Sequence, residues 1–301
     1  MSALRLATRR SPLALIQATY VQQRLTSLGV TCELVHIETQ GDIRRDVALD
    51  ELGGQGVFAV EIQTAVLHGE ADVAVHSAKD LPSTTPDGLT LSCVPQRLDA
   101  ADVLIGRSLA GLGPGATVAT GSPRRRALLL ERRPDLRVVG LRGNMATRLA
   151  KAGHDGVDAV VAAAAALERL GQGELVSERL ATDWFVPQVG QGSIALEVRD
   201  DDDSTLTLLA ALNDGAAFTT LVAERSFLRE LGAGCSVPAG AYATVEGVTL
   251  SVSGVMLSVD GSRSVRVVVE GTDAAALGRE LAIELRDHRG GGDLAGWDQT
   301  R

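Results

Sequence analysis

Apolar positions alternate between strand spacing and helix spacing along the first part of the chain. Leu4–Ala7 and Cys32–Ile37 follow the two-residue period of strands, and the residues between them carry apolar side chains at helical spacing. Ser11 followed by Pro12 predicts where that helix begins, because serine caps helix N-termini and proline suits the first helical position. Gly29 predicts its end.

The same order of elements continues and then repeats. A helix over Val57–His68 and a buried strand over Asp72–His76 complete the first copy. The second copy is expected at Thr117–Ala119, Ser122 to Arg132, Arg137–Leu141, Asn144–Lys151 and Asp158–Ala162. Strands that alternate with helices are typical of parallel sheets covered on both faces, so we expect two similar α/β domains. Ligands of such sheets bind at the carboxyl ends of the strands.

The last third of the chain has a different pattern. The acidic run Asp200–Asp203 is interpreted as a solvated turn or linker. Beyond it we expect a helix over Ala216–Leu231, then three strands, then a helix that Asp273 caps and that runs to about Asp287. The strands are placed at Tyr242–Val245, Thr249–Val255 and Ser264–Val269. This order predicts a small α+β domain.

Composition narrows the functional classes. With 301 residues, 45% apolar and 22% charged, the chain is long enough for two or three globular domains. Its net charge of −9 argues against general binding to nucleic-acid backbones. Apolar runs such as Ala159–Leu167 are shorter than the roughly 20 residues of a membrane span, and we expect no secretory signal. Three widely spaced cysteines fit neither a disulfide framework nor a zinc site, which favours a reducing cytoplasm.

One segment has the opposite charge to the whole chain. Residues 122–148 contain eight arginines and two acidic residues. Arg124 and Arg125 fall in the first turn of a predicted helix, where cations oppose the helix dipole and cost stability. This placement favours a site for a ligand with several carboxylates or phosphates. On charge count alone a solvated basic face is an equal alternative, and contact with nucleic acid is a further one.

Two other motifs place reactive side chains in loops. His76–Pro82 follows a buried strand and so lies at a carboxyl end, where Asp80 can stabilise a cation or move a proton. A turn cap is the alternative role for Asp80, and His76 is interpreted as a packed, hydrogen-bonded residue. Cys235 lies in a glycine-flanked loop with room for a bulky partner, although a structural thiol fits the same spacing. Asp42–Gly56 is interpreted as a mobile loop or lid.

Six motifs in this order resemble the porphobilinogen deaminase (hydroxymethylbilane synthase) family over essentially the whole chain. They are Ala7–Leu15, Ala74–Pro82, Gly121–Arg125, Leu141–Asn144, Val189–Gly192 and Gly234–Pro238. The resemblance implies an enzyme of tetrapyrrole biosynthesis that joins four porphobilinogen molecules head to tail, releases ammonia each time and yields linear hydroxymethylbilane. It also implies a dipyrromethane cofactor, itself two porphobilinogen units, held by a thioether to Cys235.

The fold that the resemblance implies is α/β: two α/β domains similar to periplasmic binding proteins plus a small α+β C-terminal domain. The expected bounds are residues 1–95 with 193–212 for the first domain, 96–192 for the second and 213–301 for the cofactor-carrying domain. We expect a cytoplasmic monomer that acts on porphobilinogen and binds no nucleic acid, membrane or metal.

Site residues carry over from the family motif by motif. Asp80 matches the catalytic carboxylate, which is suited to hydrogen-bond pyrrole N–H groups and to assist proton transfer while positive charge develops. The cofactor is expected to contact Cys235, Lys79, Ser77, Thr120, Ser122, Arg124, Arg125 and Asp42. The substrate is expected to contact Arg9, Ser11, Arg142, Arg148, Arg169 and Gln191.

The chain departs from the family pattern around the lid. Family members commonly carry lysines where this chain has Gln55 and Val60, and Arg44 and Arg45 are the candidate replacements for that charge. The competing hypothesis is a two-domain carboxylate-binding protein without catalysis. That hypothesis explains the paired domains and the arginines, but it gives no role to Cys235 or Asp80.

Overall fold

The computed structural model describes residues 3–39, 56, 58–232 and 237–297. Asp42, Arg44, Arg45, Gln55 and Cys235 therefore lie outside the described residues. Contacts divide the chain into two compact units. Unit 1 consists of Met1–Leu98 and Ser193–Leu221, and unit 2 consists of Asp99–Gly192 and Val222–Arg301. The chain thus leaves unit 1 once and returns to it once before it ends in unit 2.

The described helices and strands follow the predicted alternation. In chain order they are β1 (Leu4–Arg9), α1 (Pro12–Ser27), β2 (Cys32–Ile37), α2 (Val60–Leu67), β3 (Val73–Ser77), β4 (Leu89–Cys93), β5 (Asp102–Ile105), β6 (Thr117–Ala119), α3 (Pro123–Arg132), β7 (Arg137–Val139), α4 (Met145–Leu149), β8 (Ala159–Ala163), α5 (Ala164–Arg169), β9 (Val176–Arg179), β10 (Ile194–Arg199), α6 (Asp203–Ala210), α7 (Gly215–Glu230), β11 (Ala239–Glu246), β12 (Thr249–Leu257), β13 (Ser264–Gly271) and α8 (Ala274–Ile283).

Each unit contains an α/β sheet with the same strand arrangement. The order is β2-β1-β3-β10-β4 in unit 1 and β7-β6-β8-β5-β9 in unit 2. β1 is parallel to β2 and β3, and β6 is parallel to β7 and β8 in the same way. The prediction of two similar α/β domains is confirmed. Below, unit 1 is called the first lobe and residues 99–192 of unit 2 are called the second lobe.

The expectation of purely parallel sheets is wrong for one inner strand in each lobe. β10 is antiparallel to β3 and β4, and β5 is antiparallel to β8 and β9. Each is the first strand after the chain passes from one unit to the other. Such a strand is not joined to its neighbours by a helical crossover, so the constraint that makes βαβ neighbours parallel does not apply to it.

The helix starts of the two lobes are built alike. Ser11 caps α1 and Ser122 caps α3, and a proline follows each. The Ser11 hydroxyl accepts the backbone N–H of Ala14 at 3.3 Å, and the Ser122 hydroxyl accepts that of Arg125 at 3.4 Å. Both predicted starts are confirmed, and each satisfies a backbone donor that the first helical turn leaves unpaired.

The C-terminal part of unit 2 is the predicted α+β domain. β11, β12 and β13 form an antiparallel sheet in that order, and helices α7 and α8 cover one face of it through buried residues such as Phe227 and Leu281. α8 gives way to a π-helical turn at Glu284–His288. Asp200 and Asp201 form an exposed turn, as interpreted, and Asp202 after them accepts the backbone N–H of Thr205 and caps α6.

Aliphatic side chains fill both lobes. Leu6, Val73 and Leu196 are fully buried in the first lobe, and Leu104 and Leu128 are fully buried in the second. Among the described helices, no single one has the length and apolar composition of a membrane span, and only α6 and α7 taken together, bent by 116°, pass that test.

Candidate active site

A pocket of the first lobe collects four of the predicted site residues at the carboxyl ends of β1 and β3. Arg9 is the last residue of β1 and Ser11 follows it, whereas Ser77 is the last residue of β3 and Asp80 follows it. His76 and Gln17 complete its polar lining. The expectation that ligand-binding groups gather at this edge of the sheet therefore describes the first lobe well.

Asp80 reaches the pocket through a short 3₁₀ turn. The backbone passes from β3 through extended Ser77 into Ala78–Asp80. The Ala78 N–H donates to the Ser193 carbonyl at 3.0 Å, and the Ser77 hydroxyl donates to Gln17 Oε1 at 2.9 Å. These bonds fix the turn against β10 and α1, while the Asp80 side chain is half-buried at the pocket wall.

Arg9 is held by an aromatic ring that the sequence analysis did not single out. Its guanidinium carbon lies 3.8 Å from the centre of the Phe58 ring, and both residues line the pocket. A cation over an aromatic face is attracted by the ring quadrupole, and this contact restricts the guanidinium group. Phe58 falls within the predicted helix Val57–His68, where an apolar ring fits the helical pattern and gives no sign of a contact with arginine.

Behind this pocket the first lobe buries an acidic residue. Glu197 on β10 is fully buried, and Gln63 and His76 are 3% and 5% exposed. Gln63 Nε2 donates to Glu197 Oε2 at 2.7 Å. His76 Nε2 lies 3.3 Å from the same oxygen but is not aligned for a hydrogen bond and has no hydrogen-bond partner among the described residues. His76 is packed as interpreted, but its Nε2 neither accepts nor donates a hydrogen bond within the part of the chain that the structure describes.

The second lobe places two predicted cofactor ligands around a buried carboxylate. Arg124 and Arg125, at the start of α3, are 2% and 8% exposed, and both bind Asp102, the first residue of β5. Arg124 Nη2 donates to Asp102 Oδ2 at 2.6 Å, and Arg125 Nε donates to Oδ1 at 2.9 Å. Gln191 Nε2 also donates to Oδ1, at 2.9 Å. Three predicted site residues, Arg124, Arg125 and Gln191, thus form one network with Asp102, which was not predicted. This network is called the Asp102 cluster below.

The Asp102 cluster fixes the charge state of its members. Burial alone would raise the pKa of Asp102, but the two guanidinium groups and the hydrogen bonds outweigh it and hold that pKa far below its ordinary value. Burial lowers the pKa of Arg124, and the neighbouring Arg125 adds to that effect. One carboxylate faces two guanidinium groups, so the cluster as a whole keeps a positive charge.

Asp102 is the counterion of the two arginines at the start of α3. The two cations at this helix start thus have an internal counterion. No pattern near residue 124 indicated it, because Asp102 lies at the start of β5, and both β5 and β6 separate it from the helix. Arg124 is further committed to the fold, because its Nη1 donates to the Val186 carbonyl at 2.6 Å. Its Nε is nevertheless buried without a hydrogen-bond partner among the described residues.

The remaining predicted residues are distributed around the two lobes. Thr120 is buried and its hydroxyl accepts the Ser122 N–H at 3.2 Å. Arg142 is exposed, and Arg148 donates to the Gly143 carbonyl at 2.8 Å, so both belong to the segment around α4. Arg169 donates to the Gly192 carbonyl at 2.8 Å. Lys79 is half-buried in the Asp80 turn.

Two further expectations concern the lid region and metals. Val60, at the start of α2, is 54% exposed. Among the described residues, no group of three or more His, Cys, Asp or Glu side chains could hold a metal ion.

Comparisons with known proteins agree along nearly the whole chain. Family models for the porphobilinogen deaminase dipyromethane cofactor binding domain and the porphobilinogen deaminase C-terminal domain match residues 4–207 and 218–287. A porphobilinogen deaminase of Syntrophotalea carbinolica is 46% identical over 291 residues, which are 94% of this chain and 92% of the relative. One from Roseiflexus castenholzii is 46% identical over 302 residues, 98% of this chain and 99% of the relative.

Among solved structures, a periplasmic substrate-binding protein of an ABC transporter from Coxiella burnetii is similar with a TM-score of 0.43 and 16% identity, over 72% of this chain and 94% of that one. The two family models and the curated relatives, each about as long as this chain, identify it without reference to that structure. The chain belongs to the porphobilinogen deaminase family.

Proposed function

We propose that the chain condenses four porphobilinogen molecules head to tail, with release of ammonia, to linear hydroxymethylbilane in tetrapyrrole biosynthesis. Family membership supports the reaction, and the placement of Asp80 in one pocket with Arg9 and Ser11 is the single observation that carries the assignment of roles. The rival hypothesis of a carboxylate-binding protein without catalysis accounts for Arg9 and Ser11, but it leaves Asp80 without a role.

The described residues fit a dipyrromethane cofactor. Such a group needs acceptors for its pyrrole N–H groups and donors for its acetate and propionate side chains, and the first-lobe pocket offers a carboxylate, a guanidinium group and a hydroxyl together. When bound, the cofactor supplies the electron-rich pyrrole carbon to which each substrate unit is joined. Asp80 and Ser77 of the first lobe and Thr120, Ser122 and the Asp102 cluster of the second are the proposed holding residues, with Lys79 beside Asp80. The resemblance assigns its thioether tether to Cys235 and a further contact to Asp42.

Asp80 is the proposed catalytic residue. Departure of ammonia from porphobilinogen leaves positive charge on the substrate pyrrole, and an ionised carboxylate in hydrogen-bond reach of the ring N–H stabilises that charge. The half-buried position of Asp80 strengthens this interaction, since less water screens it than at an open surface. The same carboxylate is proposed to take up and return a proton at the pyrrole nitrogen.

The arginines are proposed to hold the carboxylates of the substrate and of the growing chain. Arg9 acts from the first lobe, and Arg142, Arg148 and Arg169 act from the second, with Gln191 and Ser11 as neutral donors. A guanidinium group is suited to this role because it binds a carboxylate with two parallel hydrogen bonds and stays charged at all working pH values. Arg125 is proposed to bind a carboxylate as well, with its guanidinium group oriented by Asp102.

Setting and partners follow from the same proposal. The protein is proposed to work as a cytoplasmic monomer on a small-molecule substrate, without a nucleic-acid, membrane or metal partner. The proposed domain bounds are those given above, with residues 213–301 carrying the cofactor.

Intact-mass measurement and turnover test this function together. The purified protein should carry a covalent adduct of two pyrrole units and should release ammonia from porphobilinogen. Cys235→Ser should lose the adduct, whereas the matched control Cys32→Ser should keep it, because Cys32 lies in β2 of the first lobe. A protein without an adduct that binds porphobilinogen and leaves it unchanged would support the carboxylate-binding hypothesis instead.

A further inference from the structure

The polar side chains behind the first-lobe pocket have no part in the chemistry proposed so far. Glu197 has no exposed surface, and Gln63 and His76 have almost none. A carboxylate withdrawn from water is costly unless other groups compensate it, so aliphatic side chains would fill this part of the sheet at lower cost. The presence of Glu197 next to the pocket therefore points to a role in the site.

Sheet register brings Glu197 and His76 together. In the antiparallel pair of β3 and β10, His76 lies opposite Ala195 and Glu197 lies opposite Ala74. Residues two apart on a strand point to the same face, so His76 and Glu197 are diagonal neighbours on one face of the sheet. α2 packs against this part of the sheet, and its Gln63 donates to Glu197 Oε2 at 2.7 Å, the oxygen that lies 3.3 Å from His76 Nε2.

The carboxyl end of β3 connects this cluster to Asp80. The His76 ring lines the same pocket as Asp80, and the chain runs from His76 through Ser77 directly into the Asp80 turn. Ser77 is anchored to α1 through Gln17, and Ala78 is anchored to Ser193 at the start of β10. Glu197, which accepts a hydrogen bond from Gln63, lies beside His76, the last buried side chain of β3. His76 and Glu197 are on the face of the sheet opposite to Ser77.

We propose that Glu197 is a positioning residue for the reaction, which acts through His76 to hold the end of β3 and the pocket wall so that Asp80 meets the reacting pyrrole. This inference rests on the proposed function. Small displacements of a catalytic group reduce the reaction rate strongly. The gain in rate from a fixed strand end therefore accounts for keeping a carboxylate whose burial is unfavourable. Because Glu197 does not reach the pocket itself, its loss should reduce turnover far more than substrate binding.

Steady-state kinetics of Glu197→Gln test the proposal. The amide keeps the size of the side chain and an oxygen for Gln63 but removes the charge facing His76. We expect kcat to fall about tenfold with KM for porphobilinogen changed less than about twofold. The adduct of two pyrrole units, measured as intact mass, should be retained. His76→Gln is the second variant and should give the same split if Glu197→Gln does not fold.

A double variant separates positioning from general damage to the fold. In Asp80→Ala the group that Glu197 positions is gone, so adding Glu197→Gln should lower kcat by less than about twofold. A further full tenfold loss in that background would overturn the proposal, as would unchanged kcat in both single variants. The control is Glu284→Gln, which alters another Glu–His pair, between Glu284 and His288 on the surface of unit 2, and should leave kcat and KM unchanged.

The same experiments distinguish this inference from the proposed function. If the wild-type protein carries no adduct and releases no ammonia, the proposed function fails whatever the variants do. If the adduct and the effect of Asp80→Ala are present while Glu197→Gln and His76→Gln match the wild type, only the positioning role of Glu197 is wrong.

Discussion

The two lobes have the same strand order and the same capped helix start, yet the strand inserted into each carries a differently paired acidic residue. β10 of the first lobe buries Glu197 beside a neutral amide and an imidazole, whereas β5 of the second lobe buries Asp102 between two guanidinium groups. The pocket with the candidate catalytic acid belongs to the first lobe, and the positively charged cluster belongs to the second. One architecture thus supports two tasks, which differ in the partners given to a buried carboxylate.

This difference explains why the helix starts are not equivalent despite their shared caps. At α1 the first turn carries neither acidic nor basic side chains, and Arg9 and Ser11, which precede this helix, line the pocket. At α3 the first turn carries Arg124 and Arg125, whose mutual repulsion and unfavourable interaction with the helix dipole are offset by Asp102. The second lobe therefore needs its buried acid to balance these two cations.

The largest expected effect is a difference in stability between the two buried acids. Asp102→Asn leaves two buried guanidinium groups without their counterion and should lower the free energy of unfolding by about 3–5 kcal/mol. Glu197→Gln keeps an acceptor oxygen for Gln63 and should cost about 1 kcal/mol. Urea unfolding followed by circular dichroism measures both. Equal losses for the two variants would contradict the division between the lobes.

The next effect concerns rate. Asp80→Ala should lower the turnover of porphobilinogen by on the order of 10²-fold, about 2.7 kcal/mol in activation free energy, because it removes the group that stabilises positive charge. Stability should change little, since Asp80 is only half-buried. Asp87→Ala, an exposed aspartate of the same lobe, is the control and should turn over normally. Normal turnover by Asp80→Ala would remove Asp80 from the mechanism.

The Asp102 cluster of the second lobe should make the stability of the protein sensitive to acid. The pKa of Asp102 is lower in the folded chain than in the unfolded one, so its contribution to stability is present above the ordinary aspartate pKa and is lost as the pH falls toward the folded value. Below about pH 4 this group should reduce the free energy of unfolding by up to about 1.4 kcal/mol per pH unit. The stability gap between wild type and Asp102→Asn, measured by urea unfolding from pH 7 to pH 3, should narrow at the acid end. A gap that stays constant over this range would show that Asp102 is not ionised against the arginines.

The smallest effect is the pair of helix caps. Ser11→Ala and Ser122→Ala each remove one side-chain acceptor at a helix start and should each cost about 1 kcal/mol in the free energy of unfolding. Ser11 also lines the Asp80 pocket, so Ser11→Ala should in addition raise KM. A stability loss at only one of the two sites would show that the helix starts are not structurally matched.

The sequence predicted those parts of the fold that depend on local patterns. The bounds of β2, β6 and α3, both serine caps and the order of elements in the C-terminal domain agree with the structure. The missing parts depend on distant neighbours. β4, β5, β9 and β10 lie in stretches that were not assigned as strands, and the antiparallel direction of β5 and β10 follows from where the chain crosses between units, which no local period encodes.

The candidate site divides in the same way. Asp80 was found because it follows a predicted strand, and strand ends carry ligand sites. Arg9 and Ser11 were carried over from the family resemblance. Asp102 and Glu197 were missed because each is a single acid within a mostly apolar strand, and its partners lie far away along the chain. Phe58 was missed because a ring that stacks on arginine has no spacing rule. The assignments of Cys235 and Asp42, outside the described residues, rest on the family resemblance.

The central claim is that Asp80 performs the chemistry while other residues hold the pyrrole chain. It is tested most directly by the intact mass of Asp80→Ala after mixing with porphobilinogen. The account predicts that this variant carries the two-pyrrole adduct and gains little further mass while the wild-type protein gains mass in steps of one pyrrole unit. Stepwise mass gain by Asp80→Ala at the wild-type rate would contradict it.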